Sequence, residues 1–361
     1  MKRLVLLLTV VIETLGAVAQ NDNYADYSLE GLSKACSNYD EISSFHDGLS
    51  VVVKINPDRD AEAYKLYGVI DKEGNEVVPC TDMEIYNFKE GRAIVKKNKK
   101  FGFINKQGKI IIPCKYDEVF NFSEGLAVVV KNDLYGYIDS VGKEVFPCIY
   151  STAYSFSEGL ACVYKKNGPD GYINKRGKMV LHHTGGGGSF SGGLAPQEDT
   201  KFMDKNGKIV FEVDIDQPEP FSEGLAAVRK NWVHGYIDKA GHFVVPLTYC
   251  VADDFSEGLA AVGKGQCEEL EREIRYGYID KKGDVVIPFI YEWGSSFNGG
   301  LAAVKKSNKE KSEYIFIDKS GQQAFPLVFD EARGFSEGLA AVKKGGKWGY
   351  VDKNGKCSLD Y

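Results

Sequence analysis

Short apolar runs, each bounded by polar turn residues, recur along the whole chain after its first twenty residues. Leu-Ala-Ala-Val or a close variant comes first, and an Asn, Gly and Lys-rich stretch follows it. An aromatic-Gly-aromatic-Ile run comes next, closed by Asp or Asn, and then Val-Val-x-Pro. Runs of this length between Gly, Asn and Asp predict strands, since helices need longer periodic segments. Asp-Lys-x-Gly predicts a tight turn, in which the carboxylate bonds backbone N–H groups two residues on and Gly supplies a positive φ. The proline ends the third strand because it cannot donate to a ladder. The pattern thus predicts a three-stranded antiparallel meander, too small to be stable alone.

The meander repeats. Phe-x-x-Gly-Leu-Ala-x-Val starts at Phe45, Phe88, Phe122, Phe156, Phe190, Phe221, Phe255, Phe297 and Phe335, with spacings between 31 and 43 residues. Leu is replaced once, by Arg92, and the final Val once, by Gln197. The second run closes at Asp71, Asn105, Asp139, Asn174, Asp204, Asp238, Asp280, Asp318 and Asp352, with Gly three residues later each time. Phe and Ile of one unit must be buried against the next, which is why such units come in arrays. The Gly between two aromatics leaves room for a ring or backbone to approach.

The expected fold class is all-β: a tandem array of about nine three-stranded antiparallel β-meander repeats. An open solenoid-like superhelix is favoured, because the spacings are unequal and the fifth unit, around 181–212, is irregular enough to act as a slack joint. A closed propeller-like ring is the alternative. The extra length falls in the first hairpin turn, at 54–66, 263–275 and 305–313, so insertions should sit on one edge of the array. Ala35–Ile42 resembles the tail of a unit, and the last unit lacks its proline strand. The array therefore reads as permuted, with its third strand opening at the N-terminus.

Composition changes the picture mainly at the N-terminus. Lys2 and Arg3, an apolar run Leu4–Ile12 and the small-x-small site Ala17-Val18-Ala19 predict a signal peptide over 1–19. A lead-in over 20–38 and the repeat array over 39–361 follow. The apolar run is shorter than the roughly 20 residues of a permanent span, and no Cys follows the cleavage site. The expectation is an exported protein of the periplasm, cell surface or medium, with no integral membrane span after cleavage. Removing Lys2, Arg3 and Glu13 takes the formal charge from −6 to −7 (−6 − 2 + 1). That acidity argues against nucleic acid as a partner. Of eight cysteines, Cys80, Cys114 and Cys148 each follow a proline 34 residues apart. They read as small apolar repeat positions rather than a disulfide ladder, since equivalent positions lie a whole unit apart.

No catalytic constellation emerges, and no enzyme activity, cofactor or metal site is expected. The Ser-Glu-Gly carboxylates (Glu124, Glu158, Glu223, Glu257, Glu337, with Glu90) could form a cation or glycan ladder, but Asp47, Gly192 and Gly299 replace them elsewhere, which suits a turn. The Asp/Asn row lacks calcium-ligand density. His182-His183 has no partners at zinc spacing, no Cys sits in a nucleophile motif, and Gly185–Gly188 lacks the Lys-Ser/Thr of a phosphate loop. Exposed aromatics are the best handle: Trp232, Trp293 and Trp348 are candidate ligand-stacking residues.

The whole in-register pattern, Gly-Tyr-Ile-Asp-x-x-Gly-x-Val-Val-x-Pro, resembles the WG-repeat family over residues 39–361. At that place in the unit Trp348-Gly349 carries the literal dipeptide, and Tyr67-Gly68, Phe101-Gly102 and His234-Gly235 carry substitutes. The resemblance implies a bacterial β-rich repeat, often exported or in the envelope, and supplies no catalytic residues. The expected function is a non-enzymatic scaffold of the cell envelope binding an unknown protein or glycan partner through a repeat surface. A carbohydrate-binding module using exposed aromatics is the alternative.

Overall fold

A computed structural model of the chain describes residues 27–58, 64–183, 186–197, 200–267, 274–306 and 313–361. The expected signal peptide lies outside them. Units are numbered one to nine by their Phe, from Phe45 to Phe335.

Unit three shows the local logic. It begins with a two-residue inner strand, Glu118–Val119, continues through Leu126–Lys131 and Leu134–Asp139, and ends on the outer strand Glu144–Tyr150, each paired antiparallel with the next. Asn132 and Asp133 both take positive φ in the two-residue hairpin turn, as a turn matching strand twist requires. Asp139 Oδ1 accepts the N–H groups of Val141 and Lys143 at 3.0 and 2.9 Å, and Gly142 adopts φ +82°. At Gly136 a Cβ would lie 2.8 Å from both Cys148 N and Phe146 O. The register slips there, between Tyr135 and Tyr137, because the proline strand bulges inward over the missing side chain. The three-stranded unit expected from sequence is corrected by the short inner strand. A two-residue strand leaves no periodic signal.

Among the described residues the strands form eight antiparallel sheets. Most have four strands. Units five and nine have three, and one six-stranded sheet holds units seven and eight, because Val285–Gly294 serves as outer strand of one and inner strand of the other.

The open superhelix expected from the spacings is contradicted, because the chain closes on itself as a β-propeller. Most of the Phe pack closely on an aromatic ring of the preceding unit: Phe103–Phe122, Tyr137–Phe156, Tyr172–Phe190, Tyr236–Phe255, Tyr278–Phe297 and Phe316–Phe335 have centroids 4.8–5.2 Å apart, while Phe202–Phe221 is wider at 6.1 Å and Phe88 packs with Val69 instead. Tyr350 of unit nine makes the same contact with Phe45 of unit one, at 4.8 Å. In the six units where serine follows the Phe, it donates to the next unit's Phe carbonyl, Ser123 to Phe156 at 2.8 Å and Ser256 to Phe297 at 2.7 Å. Ser336 donates to the Phe45 carbonyl at 2.6 Å. The last joint is thus built like the internal ones. Unequal spacing misled because two of the insertions start and end between paired strands of one unit, Leu49–Ile55 with Lys65–Asp71 and Leu259–Lys264 with Arg275–Asp280, and not between units. Even unit five, read as slack, keeps its joint, with Ser191 Oγ 3.0 Å from the Phe221 carbonyl.

A helix, Leu29–Cys36, stands at the closure where the permuted third strand was expected. Ser28 caps it by accepting the Gly31 N–H. Leu29, Leu32, Ala35 and Cys36 are buried with Phe45 and Ile70 of unit one and Leu339, Trp348 and Tyr350 of unit nine. Cys250 and Cys267 form a disulfide that ties the insertion of unit seven to the end of an outer strand, while Cys80, Cys114 and Cys148 are half-buried free thiols. No helix among the described residues is long and apolar enough to cross a membrane.

Candidate binding site at the channel mouth

The repeated carboxylates are turn residues with a second task. Glu124 has φ +55° and Gly125 φ +83°, so the pair forms the turn foreseen from Ser-Glu-Gly. The side chain then reaches the following unit. Glu90 accepts the N–H groups of Glu124 and Gly125 at 2.9 and 3.0 Å, Glu124 that of Gly159 at 3.1 Å, and Glu337 that of Gly48 across the closure at 2.9 Å. At five joints the lysine following the Asp or Asn completes the contact. Lys175, Lys205, Lys281, Lys319 and Lys72 pair with Glu124, Glu158, Glu223, Glu257 and Glu337 at 2.9–3.2 Å. Lys281 holds the Glu223 carboxyl below the usual glutamate range. These carboxylates therefore carry the ring and are not an open ligand ladder.

Arg92, the one departure at the Leu position, belongs to the same belt. Unit three has Ser140 where its neighbours have Lys. Arg92 supplies the missing cation from unit two, donating to the Glu90 carbonyl at 2.7 Å and the Ser140 carbonyl at 3.3 Å, with its guanidinium 4.8 Å from the Phe122 centroid.

The segment leading into each Phe faces a central channel. A cavity of about 400 Å³ is lined by Ser44 and His46 of unit one, Ser256 of unit seven, Ser295 and Asn298 of unit eight and Ser336 of unit nine. Only a position near the axis brings four consecutive units together. The residue two before each Phe is held through its backbone. Outside unit two its N–H bonds the neighbouring strand, as Tyr154 N to Cys162 O, and in units one, four, five, seven and eight its carbonyl accepts the preceding unit's buried tyrosine, as from Tyr137 at 2.8 Å. Its side chain is left at the mouth in several units, while the Ser43 and Ser295 hydroxyls turn back to accept the Val51 and Ala303 N–H groups. Around the ring these side chains are Ser43, Tyr86, Phe120, Tyr154, Gly188, Glu219, Asp253, Ser295 and Arg333. Tyr86, Phe120 and Tyr154, on three successive units, are 38–41% exposed. In units six and seven the residues at that place are acidic, Glu219 and Asp253, and burial, then the neighbouring Asp254, raise the Asp253 carboxyl. Residues four before Phe share that face by strand alternation and include Glu41, Glu84 and Glu118.

The three tryptophans named from sequence are not brought together. Trp348 is buried at the closure, Trp293 packs half-buried against Tyr314, and Trp232 is 65% exposed on a hairpin turn beneath Arg229. The Asp/Asn row forms the foreseen turns. Sequence reasoning missed the mouth aromatics, although their fixed distance from Phe is a usable signal. It also missed a buried contact between Cys162 Sγ and His183 Nε2 at 3.3 Å. Burial pushes that thiol up to about 12, the opposite of a nucleophile's need. Among the described residues no group of three or more His, Cys, Asp or Glu could hold a metal ion.

Ring closure and a variable channel mouth define a repeat-built β-propeller. Residues 67–101, 101–135, 135–168, 202–231, 235–266, 276–309 and 316–348 match the WG containing repeat. The chain belongs to that family. No curated protein sequence matches the chain. Hsv2p of Kluyveromyces lactis is 11% identical over 80% of this chain and 99% of that one, with a TM-score of 0.39. AztD from Citrobacter koseri is 10% identical over 79% and 84%, with a TM-score of 0.38. At such values the likeness supports no statement about ligand or activity.

Proposed function

We propose that the protein is a non-enzymatic recognition scaffold of the cell envelope that holds a protein or glycan partner at the mouth of its channel. One observation carries this reading. In eight units the N–H two before the Phe bonds the neighbouring strand in the same way, yet the side chains at that place range from glycine to tyrosine, aspartate and arginine. Positions that vary while their backbone is fixed are free for recognition, as loops on a rigid scaffold are. The predicted signal peptide supports the location.

The test is a Tyr86→Ala, Phe120→Ala, Tyr154→Ala triple variant on glycan and peptide arrays. All three side chains are partly exposed, so the melting temperature should hold within a few degrees while array signals fall at least tenfold. Full signal from a folded variant would refute the mouth as the binding surface. Loss on Trp232→Ala instead would favour recognition through the exposed tryptophan.

A further inference from the structure

We propose that the part of the mouth shared by units nine, one and two is a subsite for one neutral pyranose ring. The inference rests on the mouth being the recognition surface and names its ligand. Glu41, Ser43, Glu84, Tyr86, Asn87 and Arg333 line a cavity of about 270 Å³ there, open to solvent. That volume lies just under the range of about 300–1,000 Å³ that holds drug-sized ligands, so a single ring suits it.

The lining chemistry selects the ring. Tyr86 presents a partly exposed aromatic face beside Tyr67, and such a face packs against the apolar C–H face of a sugar. Asn87 and Arg333 supply planar donors at its edge, and Glu41 and Glu84 supply acceptors. Each carboxylate already has a lysine: Glu41 Oε1 lies 2.7 Å from Lys65 Nζ and Glu84 Oε2 3.5 Å from Lys96 Nζ. The Glu41 carboxylate keeps its second oxygen as an acceptor, Glu84 also accepts from the Tyr86 hydroxyl, and so paired both offer little attraction to a cation. The groove is therefore rich in hydrogen-bonding groups, and its two carboxylates, their two lysines and Arg333, which lies 5.6 Å from the Trp348 ring, leave a surplus of one positive charge at most. A cationic peptide would find its counter-charges taken, and a polyanion would find a single guanidinium, Arg333, flanked by two carboxylates. An uncharged ring with several hydroxyls meets neither obstacle.

Affinity electrophoresis of the full chain in gels containing neutral glucan, galactan or mannan tests this, with polygalacturonate and an oligolysine peptide as charged probes. Retardation by at least one neutral polysaccharide is expected. Tyr86→Ala should weaken it at least tenfold and Glu84→Gln severalfold, with Trp232→Ala unchanged and all variants melting as the parent does. Binding confined to a charged probe but lost in Tyr86→Ala would overturn the ligand class while leaving the mouth as the surface. Retardation lost on Phe120→Ala or Tyr154→Ala but not on Tyr86→Ala would overturn this subsite alone. No Tyr86-dependent binding of any probe would overturn it, and array signals insensitive to the triple variant would show that the mouth reading had failed as well.

Discussion

At the scale of single residues, the joints between units rest on side chains that look interchangeable in sequence but are coupled in space. A carboxylate in one unit caps glycine N–H groups in the next, and a lysine from that next unit caps the carboxylate. Where the lysine is absent, Arg92 replaces it from the other side of the joint. The coupling predicts a specific epistasis. Arg92→Leu should destabilise by about 1 kcal/mol, because the cation bonding the Glu90 and Ser140 carbonyls is lost at a partly exposed site. Adding Ser140→Lys should recover most of that, because lysine at this place makes the bond in other units. Chemical denaturation of both single variants and the double gives the coupling energy, and strictly additive effects would contradict the exchange. The turn chemistry of Asp139 and Gly142 was legible in sequence, since an Asx-turn is local. The destination of Glu124 was not, because its partner Gly159 lies 35 residues away in sequence.

At the scale of elements, strand alternation and proline placement gave the second, third and outer strands. The inner strand and the helix were harder. The helix Leu29–Cys36 does carry an amphipathic trace in Leu29, Leu32, Ala35 and Cys36, with Ser28 as its cap, but eight residues give little periodicity and the chain around it reads as a strand-forming repeat. Its seat is tight. Ser28 N donates to the Lys72 carbonyl at 2.9 Å, and a Cβ on Gly31 would lie 1.9 Å from the Glu73 carbonyl oxygen. Gly31→Ala should therefore displace the helix from the turn of unit one, costing about 1–3 kcal/mol as overpacking does. Amide exchange should rise in Leu29–Cys36 and in the neighbouring strand Lys347–Asp352, with units three to six unaffected. Unchanged exchange at the helix would mean that it does not clamp the closure.

At the scale of the whole molecule, closure changes what a single truncation does. Phe122 and Phe45 are 1% and 0% exposed and sit on the preceding unit's ring at 4.9 and 4.8 Å. Each to alanine should cost about 3–5 kcal/mol, and the two costs should agree within about 1 kcal/mol, because the closing joint repeats the internal one. An open array would leave Phe45 at a free end and make its removal far cheaper. Equilibrium unfolding of the two variants decides this, and a small-angle scattering profile of a disc rather than a rod should accompany equal costs.

The sequence by itself determined the unit: its turns, its second to fourth strands, the burial of Phe and Ile against a neighbour, and membership of a repeat family. All of these depend on interactions within about forty residues, which periodicity records directly. Whether the units close was decided only by tertiary structure. Closure depends on the small rotation from one unit to the next, summed around the chain, and no residue encodes that angle alone. The same summation brought Arg333 beside Tyr86 at the channel mouth, so the candidate site could not be read before the ring was seen.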